Sequence, residues 1–421
     1  MAALRVAGSL RVPGDKSISH RALILSALAT GSSRVTNILQ SADVRSTGAV
    51  LRALGAEVPE LSADFVVRGN GGGAVRAPAT DLDCGNSGTT TRLMAGVVAA
   101  LPVTARFVGD ASLSRRPMRR VARPLEAMGA RVELPPHGGL PMIVHGGSLH
   151  ALDWQSEVAS AQIKSAVLLA AVVSGVAASV TEPARSRDHT ERMLAARGVR
   201  VEVTGNRVTV AGGAALHALD LDVPGDPSSA AFFAGLAALA GDGELVLPHV
   251  CVNETRTGFF RVLARMGASV EFTNMRVEGG ELVADIVSRA GTLHGITIDE
   301  VDVPSMIDEL PLLACIASRA TGETVITGAS ELRVKESDRI TAVVNNLRAI
   351  GAVAEELPDG MRITGTTKPL RGRIVTHGDH RLAMSFGVLR ALPGHEIEID
   401  EPECVSVSYP GFWDDLRWCT R

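Results

Sequence analysis

Six segments of the chain are apolar on nearly every face: Ser19–Thr30, Thr89–Ala100, Ala159–Val173, Ser228–Ala240, Ser305–Ala317 and Arg381–Leu392. Runs such as Ser165-Ala166-Val167-Leu168-Leu169-Ala170-Ala171 and Ala231-Phe232-Phe233-Ala234-Gly235-Leu236-Ala237 leave no polar stripe. A helix without a polar face is a buried helix, and small Ala and Gly residues let such helices approach closely. Each segment leads through a turn to a β-rich run, such as Ser33–Thr36, Glu244–Leu247 or Glu323–Thr327. A polar loop follows, then an amphipathic helix that ends in Gly before another strand. These ends are Leu54-Gly55-Ala56-Glu57-Val58, Met128-Gly129-Ala130-Arg131-Val132, Arg197-Gly198-Val199-Arg200-Val201, Met266-Gly267-Ala268-Ser269-Val270 and Ile350-Gly351-Ala352-Val353. Gly suits the left-handed position that follows a helix. The marks recur at roughly 70 to 85 residues, too far apart for a solenoid. A sixth copy, around Glu396–Ile399, runs into a terminal helix near Phe412–Cys419. The pattern predicts an α/β chain of two inside-out α/β barrel domains. Each is built of three repeated βαβ-type units, with buried helices inside and sheets outside.

One phrase is written twice. Val12-Pro13-Gly14-Asp15-Lys16-Ser17-Ile18-Ser19 is echoed by Val223-Pro224-Gly225-Asp226-Pro227-Ser228-Ser229-Ala230, each ending an extended segment and opening a buried helix. The two copies read as the places where the chain crosses between halves. One domain is then expected from residues 1–13 and 226–421 and the other from 14–225, with hinges near 12–16 and 223–227. Only the first copy carries Lys16 and, beyond it, Arg21. A duplicated scaffold with unequal charges suggests two similar halves closing on one anionic ligand. Gly69-Asn70-Gly71-Gly72-Gly73 is not a dinucleotide loop, because it predicts a turn between strands and no helix follows. Gly14-Asp15-Lys16-Ser17 is not a P-loop, because Asp15 separates Gly from Lys.

Composition narrows the ligand. The 421 residues are 46% hydrophobic and only 3% aromatic, so the cores must be Ala, Val and Leu. A formal net charge of −4 argues against a nucleic-acid binder but not against a local cationic cleft for small anions. The five cysteines, Cys84, Cys251, Cys315, Cys404 and Cys419, are scattered and lack CxxC spacing, which suits a reducing cytoplasm. Met1–Arg5 runs straight into a strand-like segment, so no leader is expected, and no apolar run reaches bilayer length.

The polar exceptions gather at the N-termini of the buried helices, where free N–H groups and the helix dipole attract anions. Lys16, Ser17 and Arg21 open the first, and Gly85-Asn86-Ser87-Gly88-Thr89 the second. Ser160-Ala161-Gln162 opens the third, Asp226 and Ser228 the fourth, Asp308 and Glu309 the fifth, and Asp379-His380-Arg381 the sixth. Pointed at one cleft, these groups would converge. Plainer readings stand beside these: Asn86, Ser160 and above all Ser228 as helix caps, His189 as a capping or surface residue. His377 and His380 have one-turn spacing, yet nothing completes a metal site around them. The loops add Ser114-Arg115-Arg116-Pro117-Met118, Ser186-Arg187-Asp188-His189 and Arg333-Val334-Lys335-Glu336-Ser337-Asp338-Arg339. In the last, Lys335 and Arg339 are four apart and would share a helix face, either in a ligand site or in a salt-bridged surface helix.

With Gly14-Asp15-Lys16-Ser17-Ile18-Ser19-His20-Arg21, Gly85–Thr89, Arg116-Pro117-Met118, Ser160-Ala161-Gln162, Arg333–Arg339 and Asp379-His380-Arg381 in this order, the whole chain resembles the 5-enolpyruvylshikimate-3-phosphate synthase family of enolpyruvyl transferases. The resemblance implies transfer of the enolpyruvyl group of phosphoenolpyruvate to the 5-hydroxyl of shikimate 3-phosphate, with release of phosphate and with no organic cofactor or catalytic metal. It implies that Lys16, Ser17, Arg21, Ser160, Gln162, Arg187, Asp308 and Lys335 bind shikimate 3-phosphate. Phosphoenolpyruvate would fall to Lys16, Asn86, Gly88, Arg116, Gln162, Arg339, His380 and Arg381. Asp308 would take the hydroxyl proton, while Lys16 and Glu336 serve proton transfer at the methylene and bridging oxygen. Both substrates carry phosphate and carboxylate, which guanidinium forks match in bidentate fashion.

Three positions depart from the family pattern. Ala161 stands where many relatives have a second Ser, Val407 where some carry a phosphate-binding Lys, and Glu331 where some have Asn. Glyphosate is an expected inhibitor, since Gly88 leaves room where tolerant relatives have Ala. The expected partners are therefore two small substrates, without nucleic acid or membrane, and the chain is expected to act as a cytoplasmic monomer with its domains closing on ligand. The alternatives are a UDP-N-acetylglucosamine enolpyruvyl transferase and a noncatalytic anion binder on the same fold. The former usually has a Cys in the loop that reads Ala111-Ser112-Leu113-Ser114-Arg115-Arg116 here, and the latter would not need Asp308, Glu336 and Lys16 together.

Overall fold

A computed structural model of the chain describes residues 4–71, 76–213 and 215–420. Two compact units emerge. The first takes the chain up to Pro13, then Pro224–Arg276, and resumes at Leu282. The second is Gly14–Val223 with the short piece Val277–Glu281.

In chain order, β1 (Arg5–Ser9) belongs to the first unit, and the second unit follows. It begins α1 (Lys16–Leu28), β2 (Thr30–Thr36), α2 (Ala42–Ala53) and β3 (Asp64–Asn70). Next come β4 (Leu82–Asp83), α3 (Gly88–Ala99), β5 (Thr104–Val108), α4 (Ala111–Ser114), α5 (Arg119–Ala127), β6 (Arg131–Glu133) and β7 (Met142–His145). It closes with β8 (Leu152–Gln155), α6 (Ala161–Ser174), β9 (Ala178–Thr181), α7 (His189–Ala196), β10 (Val201–Thr204), β11 (Arg207–Val210) and β12 (Leu221–Asp222). The first unit resumes with α8 (Pro227–Leu239), β13 (Asp242–Cys251), α9 (Gly258–Arg265), β14 (Ser269–Glu278), β15 (Glu281–Arg289) and β16 (Thr297–Ile298). Then come α10 (Leu310–Ala317), β17 (Glu323–Ile326), α11 (Arg339–Ala349), β18 (Val353–Leu357) and β19 (Gly360–Thr364). The last elements are β20 (Arg371–Ile374), α12 (His380–Arg390), β21 (Glu396–Ile399) and α13 (Phe412–Cys419).

Among the described residues the strands form six sheets, three per unit, and each sheet contains one parallel pair. Parallel strands need a long crossover, and the buried helix supplies it. In four sheets the pairing is direct: β4–α3–β5, β8–α6–β9, β16–α10–β17 and β20–α12–β21. At the two copies of the repeated phrase the partners are exchanged. β1 precedes α1 and β2 yet pairs with β13, and β12 precedes α8 and β13 yet pairs with β2. Each copy carries an aspartate that caps its helix: Asp15 accepts from Ile18 N at 2.8 Å, and Asp226 from Ser228 N at 2.8 Å.

The buried helices pack on one another, α3 on α6 and α1 in one unit, α8, α10 and α12 mutually in the other. The small residues decide how closely. A Cβ at Gly96 would stand 2.2 Å from the carbonyl oxygen of Ala166, so α3 and α6 meet backbone to backbone. The five helix-ending glycines all have φ between 89° and 111°, the left-handed region that only Gly occupies without strain.

Four local expectations change. The fifth buried helix starts at Leu310 rather than Ser305, because Pro311 sits in its first turn and residues 303–309 form two 3-10 turns instead. Lys335 and Arg339 do not share a helix: Asp338 caps α11, accepting from Thr341 N at 3.1 Å, so the helix begins at Arg339. The second and fourth buried helices are capped by Ser87 and Asp226, not by Asn86 and Ser228. Ser160 does cap α6. Of the glycine-rich turn after β3, Gly72 and Gly73 lie outside the described residues.

Candidate active site

The candidate residues fall into one group in each unit. In the second unit, Arg21 is buried on the first turns of α1. Its Nε donates to Thr190 Oγ1 at 2.6 Å, its Nη2 to Ser165 Oγ at 2.7 Å and its Nη1 to the Ser17 carbonyl at 3.0 Å. Burial pushes its pKa down to about 10 against the pull of Glu191, Asp15 and Glu281, and Arg187 adds like charge. Lys16 Nζ lies 3.4 Å from Asp43 Oδ2. Between them His20 is fully buried. Its Nδ1 meets Thr47 Oγ1 at 2.6 Å, and hydroxyl contacts continue through Thr90 to Ser87, tying α1, α2 and α3 together. Burial first, then Lys16 and Arg21, hold His20 well below its ordinary pKa, so it stays neutral.

Arg92 organises the rest of this group. Its Nη1 donates to Gln162 Oε1 at 2.7 Å and to the Gly88 carbonyl at 3.4 Å. Gln162 Nε2 in turn donates to Thr89 Oγ1 at 3.0 Å. Burial, then the repulsion of Arg116 and Arg120, brings Arg92 down to about 10. Asn86 is held on both sides, donating to Asp110 Oδ2 at 2.6 Å and accepting from Arg116 Nη2 at 2.7 Å. Asn86, Gly88, Arg116 and Gln162, four of the residues picked from sequence, are thus one patch. Arg92 was not picked. Its signal was there: it is the only charged residue in the apolar segment Thr89–Ala100.

In the first unit a denser group forms around Arg339. This guanidinium donates from Nε to Asp379 Oδ2 at 2.8 Å and from Nη2 to Glu336 Oε2 at 2.7 Å, with Nη1 3.5 Å from Asp308 Oδ1. Asp308 is also approached by Lys335 Nζ at 3.5 Å and Arg381 Nη2 at 3.9 Å. Arg381 Nη1 donates to the Asp308 carbonyl at 3.2 Å and to Glu309 Oε1 at 3.4 Å. Asp379 does double duty, since it also caps α12 by accepting from Arg381 N at 3.0 Å. Burial pulls Arg339 down, but Asp379, Glu336 and Asp308 outweigh it and hold the group above its ordinary pKa. Asp379 is correspondingly held below the carboxylate range: burial opposes this, and Arg339 prevails.

Several candidates sit elsewhere than the sequence suggested. Ser228 points inward, donating to Glu309 and accepting from Arg256 Nη2 at 2.8 Å. His189 is neither cap nor surface residue: it is fully buried with Nδ1 2.8 Å from Glu281 Oε1. His380 is buried and His377 exposed. Arg187 is half-buried, Glu331 exposed, and Val407 ends a 3-10 turn over Pro402–Val407. The five cysteines are free, and burial raises the Cys84, Cys404 and Cys419 thiols to about 12.

Comparison with known proteins is consistent along the chain. Residues 2–416 match the family model of EPSP synthase (3-phosphoshikimate 1-carboxyvinyltransferase). A 3-phosphoshikimate 1-carboxyvinyltransferase of Sulfurihydrogenibium sp. (strain YO3AOP1) is 49% identical over 418 residues, covering 98% of this chain and 97% of the relative. That of Alkalilimnicola ehrlichii is 48% identical, covering 96% and 91%. The structure of EPSP synthase from Acinetobacter baumannii superposes with a TM-score of 0.90 at 40% identity, covering 100% of this chain and 97% of that one. The enolpyruvyl transferase NikO from Streptomyces tendae, at 17% identity and a TM-score of 0.77, shares the fold.

Proposed function

The chain belongs to the EPSP synthase family, and from that premise we propose how its residues divide the reaction. Its activity is that of a 3-phosphoshikimate 1-carboxyvinyltransferase of the shikimate pathway: the enolpyruvyl group of phosphoenolpyruvate passes to the 5-hydroxyl of shikimate 3-phosphate and phosphate leaves. A UDP-sugar acceptor is not favoured.

Asp308 carries the proposal. Three cations, Lys335, Arg339 and Arg381, stand within 4 Å of its carboxylate oxygens. The reaction needs a base at the hydroxyl beside groups that bind phosphate and carboxylate, and this arrangement offers both. In the reading proposed, Asp308 accepts the 5-hydroxyl proton as that oxygen bonds to C2 of phosphoenolpyruvate. Glu336 and Lys16 manage the proton that the methylene gains and then returns when phosphate departs. Arg339, Arg381 and His380 hold phosphoenolpyruvate, as do Lys16, Asn86, Gly88, Arg116 and Gln162. Ser17, Arg21, Ser160, Gln162, Arg187 and Lys335 hold shikimate 3-phosphate. The direct bond between Arg21 and Ser17 and the shared patch of Asn86, Gly88, Arg116 and Gln162 support this grouping. The test is phosphate release from phosphoenolpyruvate. It should require shikimate 3-phosphate, and release driven instead by UDP-N-acetylglucosamine would overturn the reading.

Glyphosate inhibition belongs to the same reading. A Cβ at Gly88 would stand 2.6 Å from Arg92 Nη1 and 3.5 Å from Arg116 Nη1. Arg92 would have to shift off Gln162, and the patch would lose room. Gly88→Ala should therefore weaken glyphosate by about tenfold or more, ~1.4 kcal/mol, and phosphoenolpyruvate less. Inhibition constants measured against both variants decide it, and equal values would remove the steric argument. The protein should act as a cytoplasmic monomer. Among the described residues no helix is long and apolar enough to cross a membrane.

A further inference from the structure

We propose that Lys164 is a positioning residue for the acceptor substrate, acting through two buried glutamates. The proposal rests on the assignment of Arg21, Ser160 and Arg187 to shikimate 3-phosphate. Lys164 is the only charged residue in the apolar segment Ala159–Val173, and its side chain is 2% exposed. Its Nζ lies 2.7 Å from Glu182 Oε2 and 2.8 Å from Glu191 Oε1, carboxylates that are themselves buried. A buried ammonium is tolerated only with such partners, and they hold it above its ordinary pKa against the pull of burial.

Each arm of the triad ends on an acceptor-binding group. Glu182 Oε1 accepts from the Ser160 backbone N–H at 2.7 Å, which sets the residue that caps α6. Both Glu182 oxygens accept from Ser186 Oγ at 2.8 Å, and Ser186 adjoins Arg187. The other arm joins α6 to α7 one residue away from Arg21's own partners. Ser165 follows Lys164, Thr190 precedes Glu191, and the two hydroxyls touch at 2.6 Å while both receive the Arg21 guanidinium. One buried cation therefore fixes the registry of three elements that present Ser160, Arg187 and Arg21. Gln162, on the same helix, is held instead by Arg92 and Thr89, so the phosphoenolpyruvate patch around Gly88 has partners of its own.

The triad also lines a cavity of ≈ 250 Å³ shared with Arg185, Asp188, Arg192, Val203, Asn206 and Val208, which gives the test its handle. Lys164→Ala should raise the KM for shikimate 3-phosphate about tenfold or more while the KM for phosphoenolpyruvate changes less than about twofold. Ethylammonium is small enough for this cavity and should restore much of the loss by replacing the missing ammonium, whereas ethanol should not. Because Lys164→Ala strands two buried carboxylates and could fail to fold, the triple variant Lys164→Met, Glu182→Gln, Glu191→Gln removes all three charges together. It should fold and show the same selective rise without ethylammonium rescue. A folded variant with unchanged KM for shikimate 3-phosphate, or with both KM values raised equally, would overturn the proposal. Arg21→Met serves as the reference. If it too leaves the acceptor KM unchanged, the underlying assignment fails and takes this proposal with it.

Discussion

Asp308→Asn should lower kcat by about 10² to 10⁴-fold, the range expected when a positioned general base is lost. Asn fills the same space and keeps an oxygen for Lys335, Arg339 and Arg381, so binding should survive. What disappears is the capacity to take up the 5-hydroxyl proton. Removing one negative charge from among three cations also strengthens their hold on anions. The KM values should therefore stay level or fall, while kcat alone drops. That split separates a base from a mere ligand, whose loss would raise KM. Steady-state kinetics in both substrates provide the check. A fall in kcat of less than about tenfold would take the base assignment away from Asp308 and pass it to Glu336, which unlike the other Arg339 partner, Asp379, is not fully buried.

The periodic part of the fold was legible because it is written locally. A segment without a polar stripe must be buried, and a glycine after an amphipathic helix must end it. Those two signals place all six buried helices and the five left-handed glycines. The repeated phrase marked where the chain crosses between halves, but which strands pair there was not legible, since those pairs join residues more than 180 positions apart, as Leu221 with Val35 or Arg5 with Asp242. The start of α10 and of α11 went astray for a local reason. Pro311 and Asp338 are ordinary helix-start signals, outweighed in the first case by the apolar run from Ser305 and in the second by the four-residue spacing of Lys335 and Arg339.

The site divides along the same line. Residues in short motifs, Lys16 to Arg21 or Lys335 to Arg339, could be picked because their neighbours mark them. Their partners could not: Thr190 reaches Arg21 across 169 positions, and Asp379 reaches Arg339 across 40. A usable signal was nevertheless present. In each of the three apolar segments of the second unit, Ser19–Thr30, Thr89–Ala100 and Ala159–Val173, a single Lys or Arg falls near the N-terminal end: Arg21, Arg92 and Lys164. A cation on a fully apolar segment must find partners or a ligand, so each such residue is a candidate by solvation alone.

Arg339→Leu should cost about 3 to 5 kcal/mol of stability near neutral pH, the usual result of breaking a buried ion pair from one side. Arg339 and Asp379 are 1% and 0% exposed, so neither can turn to water when the other is removed. In the intact protein the folded pKa of Asp379 lies below its unfolded value near 3.9. Its contribution is therefore fully present above about pH 4 and is lost only as pH falls through the lower, folded value. Removing Arg339 reverses the sign. Burial alone then raises the folded pKa of Asp379, the native state holds a proton that the unfolded state has released, and stability falls as pH rises above about 4. The penalty should be largest at pH 8 and shrink toward pH 5. Asp379→Asn in the same chain should recover much of it, because an amide removes the stranded charge and still caps α12. Calorimetry and hydrogen exchange in the first unit at the two pH values report the difference without assuming a single unfolding step. A penalty below about 1 kcal/mol, or one that ignores pH, would mean that water or another cation reaches Asp379, and the pair would no longer be the electrostatic centre of this unit.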